Sequence, residues 1–263
     1  MVFSYYPGCT LRTKAKELYR FARESAKALG IELREVPEWQ CCGGVYPTPT
    51  DAVATRLASV RALMAAREAG TDLVTVCSAC YNVIKRVNED MKNNEEIRNK
   101  VNSYMKNDVP YCGEVKVYHY IELLRDVIGY DELAKKVVNP LKGEKVGAYY
   151  GCLLLRPGKE LMFDDPENPE AIEGLIKALG ATPVKYAQRN ECCGGYTTIE
   201  NRAYASKQAQ KIADSAKVQG AELLITACPL CLYNLSQNTD GTLPVRYFTE
   251  LLAEALGVGE DAE

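Results

Sequence analysis

The chain contains the stretch EWQCCGGVYP at residues 38–47 and a second version of it, RNECCGGYTT, at residues 189–198. In both stretches two adjacent cysteines are followed by two glycines. Glycine tolerates positive φ angles and lets the backbone approach a bulky neighbour closely. The two stretches therefore predict tight turns that hold paired thiols against a common object.

Composition describes an ordinary globular protein. The chain has 263 residues, of which 47% are hydrophobic and 25% charged, enough for two domains of about 130 residues each. A net charge of -3, without a basic cluster, speaks against nucleic-acid binding. The N-terminus has no secretion signal, and no apolar run approaches the roughly 18 residues of a membrane span. We therefore expect a cytoplasmic protein with no direct membrane span.

The cysteine content points to metal or redox chemistry. In the reducing cytoplasm, eleven cysteines are typical of metal ligands or redox groups rather than of structural disulfides. The alternative is a secreted disulfide framework. The odd number of cysteines and a chain long enough to build a core without disulfides speak against it.

Ten of the cysteines, all except Cys112, repeat as two sets of five. Each set has a single cysteine, then the adjacent pair, then Cys-x-x-Cys, and 34 residues separate Cys42 from Cys77 as well as Cys193 from Cys228. The flanking residues repeat too, because YYPGCTLR at 5–12 corresponds to YYGCLLLR at 149–156. Such self-similarity indicates an internal duplication. We predict an N-terminal domain over residues 1–142 and a C-terminal domain over residues 143–263.

Hydrophobic periodicity predicts strands that alternate with helices in both halves. In matching pairs, the predicted strands are Val2–Tyr6 and Val146–Tyr150, Ile31–Val36 and Thr182–Tyr186, and Asp72–Val76 and Glu222–Ala227. Long helices are predicted over Ala52–Ala69 and Asn201–Gln219, and a final strand and helix close each half. This alternation favours an α/β fold with parallel sheets, in which sites lie at the carboxyl ends of the strands. All ten cysteines fall at such ends.

The spacing leaves three kinds of chemistry open. A Cys-x-x-Cys at a helix start suits a zinc half-site, a dithiol redox pair or two ligands of an iron–sulfur cluster. Five thiolates exceed the four ligands of a closed zinc site. Adjacent cysteine side chains also diverge, so they suit a group with several metal atoms better than one ion. The pattern favours an iron–sulfur cluster in each half, with zinc and dithiol chemistry as the alternatives.

The duplicated arrangement of Cys, Cys-Cys-Gly and Cys-x-x-Cys resembles the cysteine-rich CCG domain family over nearly the whole chain, and in particular the B subunit of heterodisulfide reductases. The resemblance implies two similar Rossmann-like CCG domains related by pseudo-twofold symmetry, each with a non-cubane [4Fe-4S] cluster near the domain interface. The implied ligands are Cys9, Cys41, Cys42, Cys77 and Cys80 for the first cluster, and Cys152, Cys192, Cys193, Cys228 and Cys231 for the second. Gly43, Gly44, Gly194 and Gly195 would lie beside these clusters.

The resemblance also implies an activity. Such a subunit would be an oxidoreductase that reduces a small-molecule disulfide, CoM-S-S-CoB or an unknown analogue, to two thiols. Its electrons would come from a ferredoxin-like C subunit and a flavin-containing A subunit. The alternative is an electron-transfer subunit that relays electrons between a ferredoxin or flavin module and a partner, with no disulfide substrate of its own.

One position departs from the family pattern. Members that act on CoM-S-S-CoB have a histidine after the first cysteine of the second half, and here Leu153 takes its place. We interpret His119, the only histidine of the chain, as structural and Cys112 as a thiol without a metal. The candidate substrate-side residues are Arg12, Arg156 and Tyr150.

Overall fold

The structure, a computed structural model, describes residues 1–44 and 51–259, in which strands and helices alternate. The strands are β1 (Val2–Tyr5), β2 (Glu32–Glu35), β3 (Leu73–Thr75), β4 (Val117–His119), β5 (Lys145–Tyr149), β6 (Thr182–Val184), β7 (Leu223–Thr226) and β8 (Val245–Tyr247). The helices of the first half are α1 (Cys9–Thr13), α2 (Lys16–Ala28), α3 (Ala54–Glu68), α4 (Ser78–Asn93), α5 (Glu95–Met105), α6 (Tyr120–Glu122) and α7 (Tyr130–Lys135). The helices of the second half are α8 (Gly158–Leu161), α9 (Ala171–Ala178), α10 (Arg202–Val218), α11 (Pro229–Gln237) and α12 (Phe248–Ala255).

Two short segments depart from regular α-helix. Helix α6 continues as a π-helical segment over Leu123–Ile128, and a 3-10 turn covers Gly195–Thr197. Within the described ranges, no helix is both long and apolar enough to cross a membrane.

The strands form two four-stranded parallel sheets of the same design. Their orders are β2-β1-β3-β4 and β6-β5-β7-β8, and every neighbouring pair is parallel. The strand order reverses between β1 and β3 and between β5 and β7, which is the switch point at which α/β sheets bind ligands. The predicted α/β class and the two similar halves are confirmed.

Helix α2 shows how the sequence produces these layers. Its buried positions are Leu18, Ala22, Ser25 and Ala26, a spacing of four, three and one residues that places them on one face of a helix. The helix ends before Gly30, whose φ of +77° is typical of the residue after a helix C-terminus. The apolar face of α2 is therefore fixed by the local sequence, although its partner is not.

That partner lies in the other half of the chain. Helix α12, the last helix of the second half, packs against α2 of the first half. In return, α7 and the π-helical segment pack against α9, where the Tyr130 hydroxyl donates to Ala171 O at 2.6 Å. The strand and helix predicted near the end of each half are observed, and these helices also pack against the other half. Both halves share a continuous hydrophobic core because each supplies a helix to the other.

Candidate functional site

The fold brings each predicted set of five cysteines to one place. Cys9, Cys41, Cys42, Cys77 and Cys80 line a cavity of about 160 Å³. Cys152, Cys192, Cys193, Cys228 and Cys231 line a second cavity of about 10 Å³. In both halves the cysteines follow the first three strands of the sheet, because the carboxyl ends of parallel strands meet at one edge.

Adjacent cysteines face different partners. The Cys42 Sγ atom lies 3.6 Å from Cys80 Sγ, and the equivalent pair, Cys193 and Cys231, is 3.5 Å apart. The first cysteine of each Cys-Cys sequence interacts instead with the single cysteine that follows the first strand of its half. In the first half, Cys41 interacts with Cys9. The same arrangement joins Cys192 to Cys152. Neighbouring side chains thus contribute to opposite sides of the same cavity.

The glycines of the two turns direct backbone N–H groups at these thiols. The Gly43 and Gly44 N–H groups lie 3.4 Å from the Cys41 and Cys42 sulfurs, and Gly194 and Gly195 repeat this in the second half at 3.4 and 3.3 Å. Successive N–H groups that converge in this way stabilise negative charge. Gly43, Gly44 and Gly194 adopt φ angles of +89°, +78° and +78°, as the turns require.

Backbone conformation does not explain the glycine at position 195, because its φ angle is not positive. A Cβ atom there would lie 3.0 Å from the side chain of Leu230 and 3.2 Å from Cys193 Sγ. Close approach, rather than backbone conformation, therefore disfavours a side chain at this position, because Leu230 or Cys193 would have to move by a few tenths of an ångström.

Two further glycines touch the thiols, and the sequence analysis missed them. A Cβ atom on Gly8 would lie 2.8 Å from Cys80 Sγ, and one on Gly151 would lie 3.3 Å from Cys231 Sγ. Each glycine directly precedes the first cysteine of its half. That repetition, Gly-Cys in both halves, was the available signal.

In each half, a tyrosine at or directly after the end of the first strand donates a hydrogen bond to the Cys-Cys turn. The Tyr6 hydroxyl donates to Gln40 O, and the Tyr149 hydroxyl donates to Glu191 O at 2.8 Å. Both acceptors are the carbonyls directly before the adjacent cysteines. Both tyrosines are fully buried, so these bonds anchor the turns to the sheets.

The electrostatics of each set favour thiolate at particular sulfurs. The Cys80 thiol, and after it the Gly44 N–H, lower the pKa of Cys42 to about 7 against the opposing effect of burial. The Cys152 thiol and the Gly194 N–H similarly lower the pKa of Cys192 to about 6. Their neighbouring thiols raise the pKa of the two partners, Cys80 and Cys152. Thiolate is the form that binds metal, so Cys42 and Cys192 are the sulfurs of these pairs that favour a soft metal ion.

The two cavities adjoin each other. Tyr196, Cys228 and Leu230 line both of them, so Cys77 of the first half and Cys228 of the second half border the same cavity. The Tyr196 hydroxyl crosses the boundary between the halves and donates to Gly44 O. Sequence analysis did not single out Tyr196. Its signal was an aromatic residue directly after the second Cys-Cys-Gly-Gly.

The predicted substrate-side residues are all engaged with their own chain. Arg12 pairs with Glu35 at 3.4 Å, and Arg156 donates to two backbone carbonyls and a carboxylate. The Tyr150 hydroxyl donates to Glu173, although its side chain contributes to the wall of the second cavity. A substrate role for these three residues stays a prediction.

The remaining candidates lie as follows. His119 is fully buried and its Nδ1 accepts from the Ile121 N–H at 3.3 Å, which begins helix α6. Leu153 lines the second cavity. Cys112 is exposed and lines a groove separate from both sets.

The donor set suits an iron–sulfur group. Each cavity is bordered by the five soft thiols of its set, the ligands that such clusters select, and Cys228 of the second set also borders the first cavity. Within residues 1–44 and 51–259, no three histidine, cysteine or acidic side chains converge on one point where a single ion could bind. A wider groove of about 630 Å³ lies along α2, but its lining contains none of the ten cysteines. The thiol-lined cavities are therefore the candidate site on chemical grounds.

Comparisons with known proteins agree with this geometry. The family model described as the cysteine-rich domain, CCG, matches residues 3–85 and 146–236. The 8-methylmenaquinol:fumarate reductase membrane anchor subunit of Wolinella succinogenes is 32% identical, over 97% of this chain and 92% of that protein. The B subunit of the ferredoxin/F(420)H(2)-dependent CoB-CoM heterodisulfide reductase of Methanosarcina acetivorans is 28% identical, over 98% of this chain and 90% of that protein.

A solved structure supports the fold alone. A hypothetical protein from Helicobacter pylori superposes with a TM-score of 0.75 at 15% identity, over 97% of this chain. This chain spans about half of that protein, 49% of its length.

Proposed function

Since the chain belongs to the cysteine-rich CCG domain family, we propose that it is the iron–sulfur subunit of a heterodisulfide reductase-like complex, which reduces a disulfide to two thiols at two non-cubane [4Fe-4S] clusters. The observation that carries this proposal is the gathering of two sets of five cysteines around two adjoining cavities. The similarity to heterodisulfide reductase B subunits over nearly the whole chain supports it.

The residues that would hold the clusters are the two sets of thiols. Cleavage of a disulfide RSSR′ to RSH and R′SH consumes two electrons and two protons. When bound, the two clusters would supply these electrons, one from each half. A ferredoxin-like C subunit and a flavin-containing A subunit would deliver them, as they do in the complexes that the family resemblance implies.

The chain itself supplies hydrogen bonds near the sulfur chemistry. The Gly44 and Gly195 N–H groups offset negative charge on the Cys42 and Cys193 sulfurs. Burial, and after it the surrounding thiols, raise the pKa of Tyr196, so its hydroxyl stays protonated at neutral pH. Tyr196 reaches both cavities and is partly exposed. If its hydroxyl exchanges the bond to Gly44 O for one to a thiolate product, it can stabilise that product while water delivers the protons. Leu153 cannot take that role.

A second candidate function has its own support. Among the relatives described above, the one with the higher identity is a membrane anchor subunit of a quinol:fumarate reductase. This favours an electron-transfer subunit that passes electrons between a redox module and a partner, without a disulfide substrate of its own. The two functions share the cofactor and differ in whether substrate reaches the cavities.

Metal analysis tests the shared part. Protein purified without oxygen should contain about eight iron atoms per chain with matching sulfide, four for each [4Fe-4S] cluster. Cys228→Ser should reduce the iron content, whereas Cys112→Ser, which changes a cysteine outside both sets, should retain all of it. Zinc without sulfide in the wild-type protein would refute the cluster assignment.

Turnover separates the two functions. The complex is reduced with methyl viologen and offered CoM-S-S-CoB, cystine and glutathione disulfide, and released thiols are counted. Two thiols per two electrons from any of these support the reductase. No thiol from any of them, together with rapid oxidation by a menaquinone analogue, would show that the chain is a relay.

A further inference from the structure

The two Cys-x-x-Cys turns are joined by a small set of buried hydrogen bonds. The Tyr247 hydroxyl lies 2.5 Å from Val76 O and 3.0 Å from Ala227 O. These carbonyls directly precede Cys77 and Cys228, the first cysteines of the two Cys-x-x-Cys motifs. Tyr247 is fully buried, so one hydroxyl links the turn of one half to the turn of the other.

Ser78 of the first half adds a second link to the other half, and this link has no counterpart in the second half. Its backbone N–H donates to Ala227 O at 3.0 Å, and its Oγ donates to the same oxygen at 2.8 Å. The equivalent residue of the second half is Pro229, which has no N–H and cannot return the bond to Val76 O. Tyr247 supplies the bond that the proline cannot make.

The residue equivalent to Tyr247 does not duplicate this role. His119 ends β4 as Tyr247 ends β8. Because the His119 Nδ1 accepts from Ile121, the hydrogen of the neutral ring is on Nε2. That nitrogen is buried near Ala227 O and Val76 O, but it has no hydrogen bond of normal geometry to any described residue. Among the described side chains, the Tyr247 hydroxyl is therefore the donor that bonds Val76 O with normal geometry.

These bonds lie where the two candidate sites meet. Cys77 and Cys228 belong to different sets of five and border the same cavity. The Tyr247 and Ser78 bonds hold the backbone of the residue directly before each of these cysteines. A shift of either turn would therefore change the distance between these two thiols.

We propose that Tyr247 is a positioning residue which, with Ser78, fixes the Cys77–Cys228 contact and so sets the electronic coupling between the two sites. The inference rests on the proposed cluster-bearing function and deepens it. A two-electron reduction at two one-electron centres requires both centres to act on one substrate. A fixed contact between one ligand of each centre keeps the distance between the two centres constant.

The test uses Tyr247→Phe, which keeps the ring and removes the hydroxyl. The control is Tyr186→Phe, because Tyr186 is equally buried and its hydroxyl has no hydrogen bond to the described residues. Both variants and the wild type are purified without oxygen, assayed for iron and sulfide, and titrated with reductant while electron paramagnetic resonance is recorded. The readouts are the spin–spin interaction between the two centres and the separation of their reduction potentials.

We expect Tyr247→Phe to retain its iron, to weaken the spin–spin interaction and to bring the two potentials closer together, while Tyr186→Phe behaves as the wild type. Ser78→Ala, which removes one side-chain bond, should change both readouts in the same direction by less, and it serves as the test if Tyr247→Phe does not fold. Unchanged interaction and potentials in an iron-replete Tyr247→Phe protein would overturn the inference. A wild type without iron and sulfide would instead overturn the proposed function, and the coupling with it.

Discussion

Replacing Gly8 with alanine should damage the first site selectively. Gly8 has φ +76° and ψ 163°, a region that residues other than glycine occupy at a cost of about 1–3 kcal/mol. The new Cβ would also lie 2.8 Å from Cys80 Sγ, inside the normal contact distance of about 3.5–4.0 Å. Relief of such an overlap costs a further ~1–3 kcal/mol. The total, about 2–6 kcal/mol, is a large part of the 5–15 kcal/mol that stabilises a typical domain.

The steric overlap caused by Gly8→Ala involves one thiol of the first set, that of Cys80. If Cys80 moves away, the first set loses one of its five sulfurs, while the second set keeps all of its own. Gly8→Ala protein should therefore hold about half the iron of the wild type, roughly four atoms per chain. Gly151→Ala, with its longer distance of 3.3 Å to Cys231 Sγ, should have a smaller effect on the second site.

Gly129→Ala is the matched control. Gly129 has a similar backbone conformation, with φ +85° and ψ 138°, and no described atom lies within 4 Å of a Cβ added there. The difference between the two variants in free energy of unfolding, measured by chemical denaturation, therefore reports the contact with Cys80. Full iron content in Gly8→Ala, with a stability equal to that of Gly129→Ala, would refute the role assigned to this contact.

Two further predictions concern the boundary between the halves and pH. The Asn82 amide donates to Leu153 O and Arg156 O, both at 2.8 Å, so Asn82→Ala should lower the free energy of unfolding by about 1–3 kcal/mol. In denaturation experiments the exposed Asn93→Ala should lose far less, and equal losses would contradict the reasoning. Burial lowers the pKa of His119 to about 3, whereas the histidine of the unfolded chain has a pKa of about 6.5. Between about pH 3 and pH 6.5 the unfolded chain therefore binds a proton that the folded chain does not. As the pH falls from 7 to 5, this difference lowers the free energy of unfolding by about 2 kcal/mol. His119→Phe should lose that pH-dependent part, and an identical pH slope in wild type and variant would show that the histidine does not cause it.

The local part of the site could be predicted from the sequence. The strand preceding each Cys-x-x-Cys, predicted at Asp72–Val76 and Glu222–Ala227, is observed at Leu73–Thr75 and Leu223–Thr226. Because carboxyl ends of parallel strands share one edge, cysteines that follow such strands had to gather. The five cysteines of each set do line one cavity, although Cys228 lines both.

Contacts between distant residues could not be predicted in this way. Gly8 touches the Cys80 sulfur only because β1 and β3 are neighbours in the sheet. The Tyr6 and Tyr149 bonds to the Cys-Cys turns likewise depend on how the second strand ends beside the first. The repetition of these residues in both halves was visible, but their partners were not.

The sequence by itself determined the duplicated parallel α/β halves and the two sets of five thiols, since strand and helix periodicity and cysteine spacing are local properties. Only the tertiary structure decided how the halves combine. It places α12 on α2 and α7 on α9, and it brings the Tyr247 hydroxyl to Val76 O across 171 residues of chain. The physical reason is that an amphipathic helix specifies which face it buries, whereas the surface that covers this face depends on the shape of both halves together.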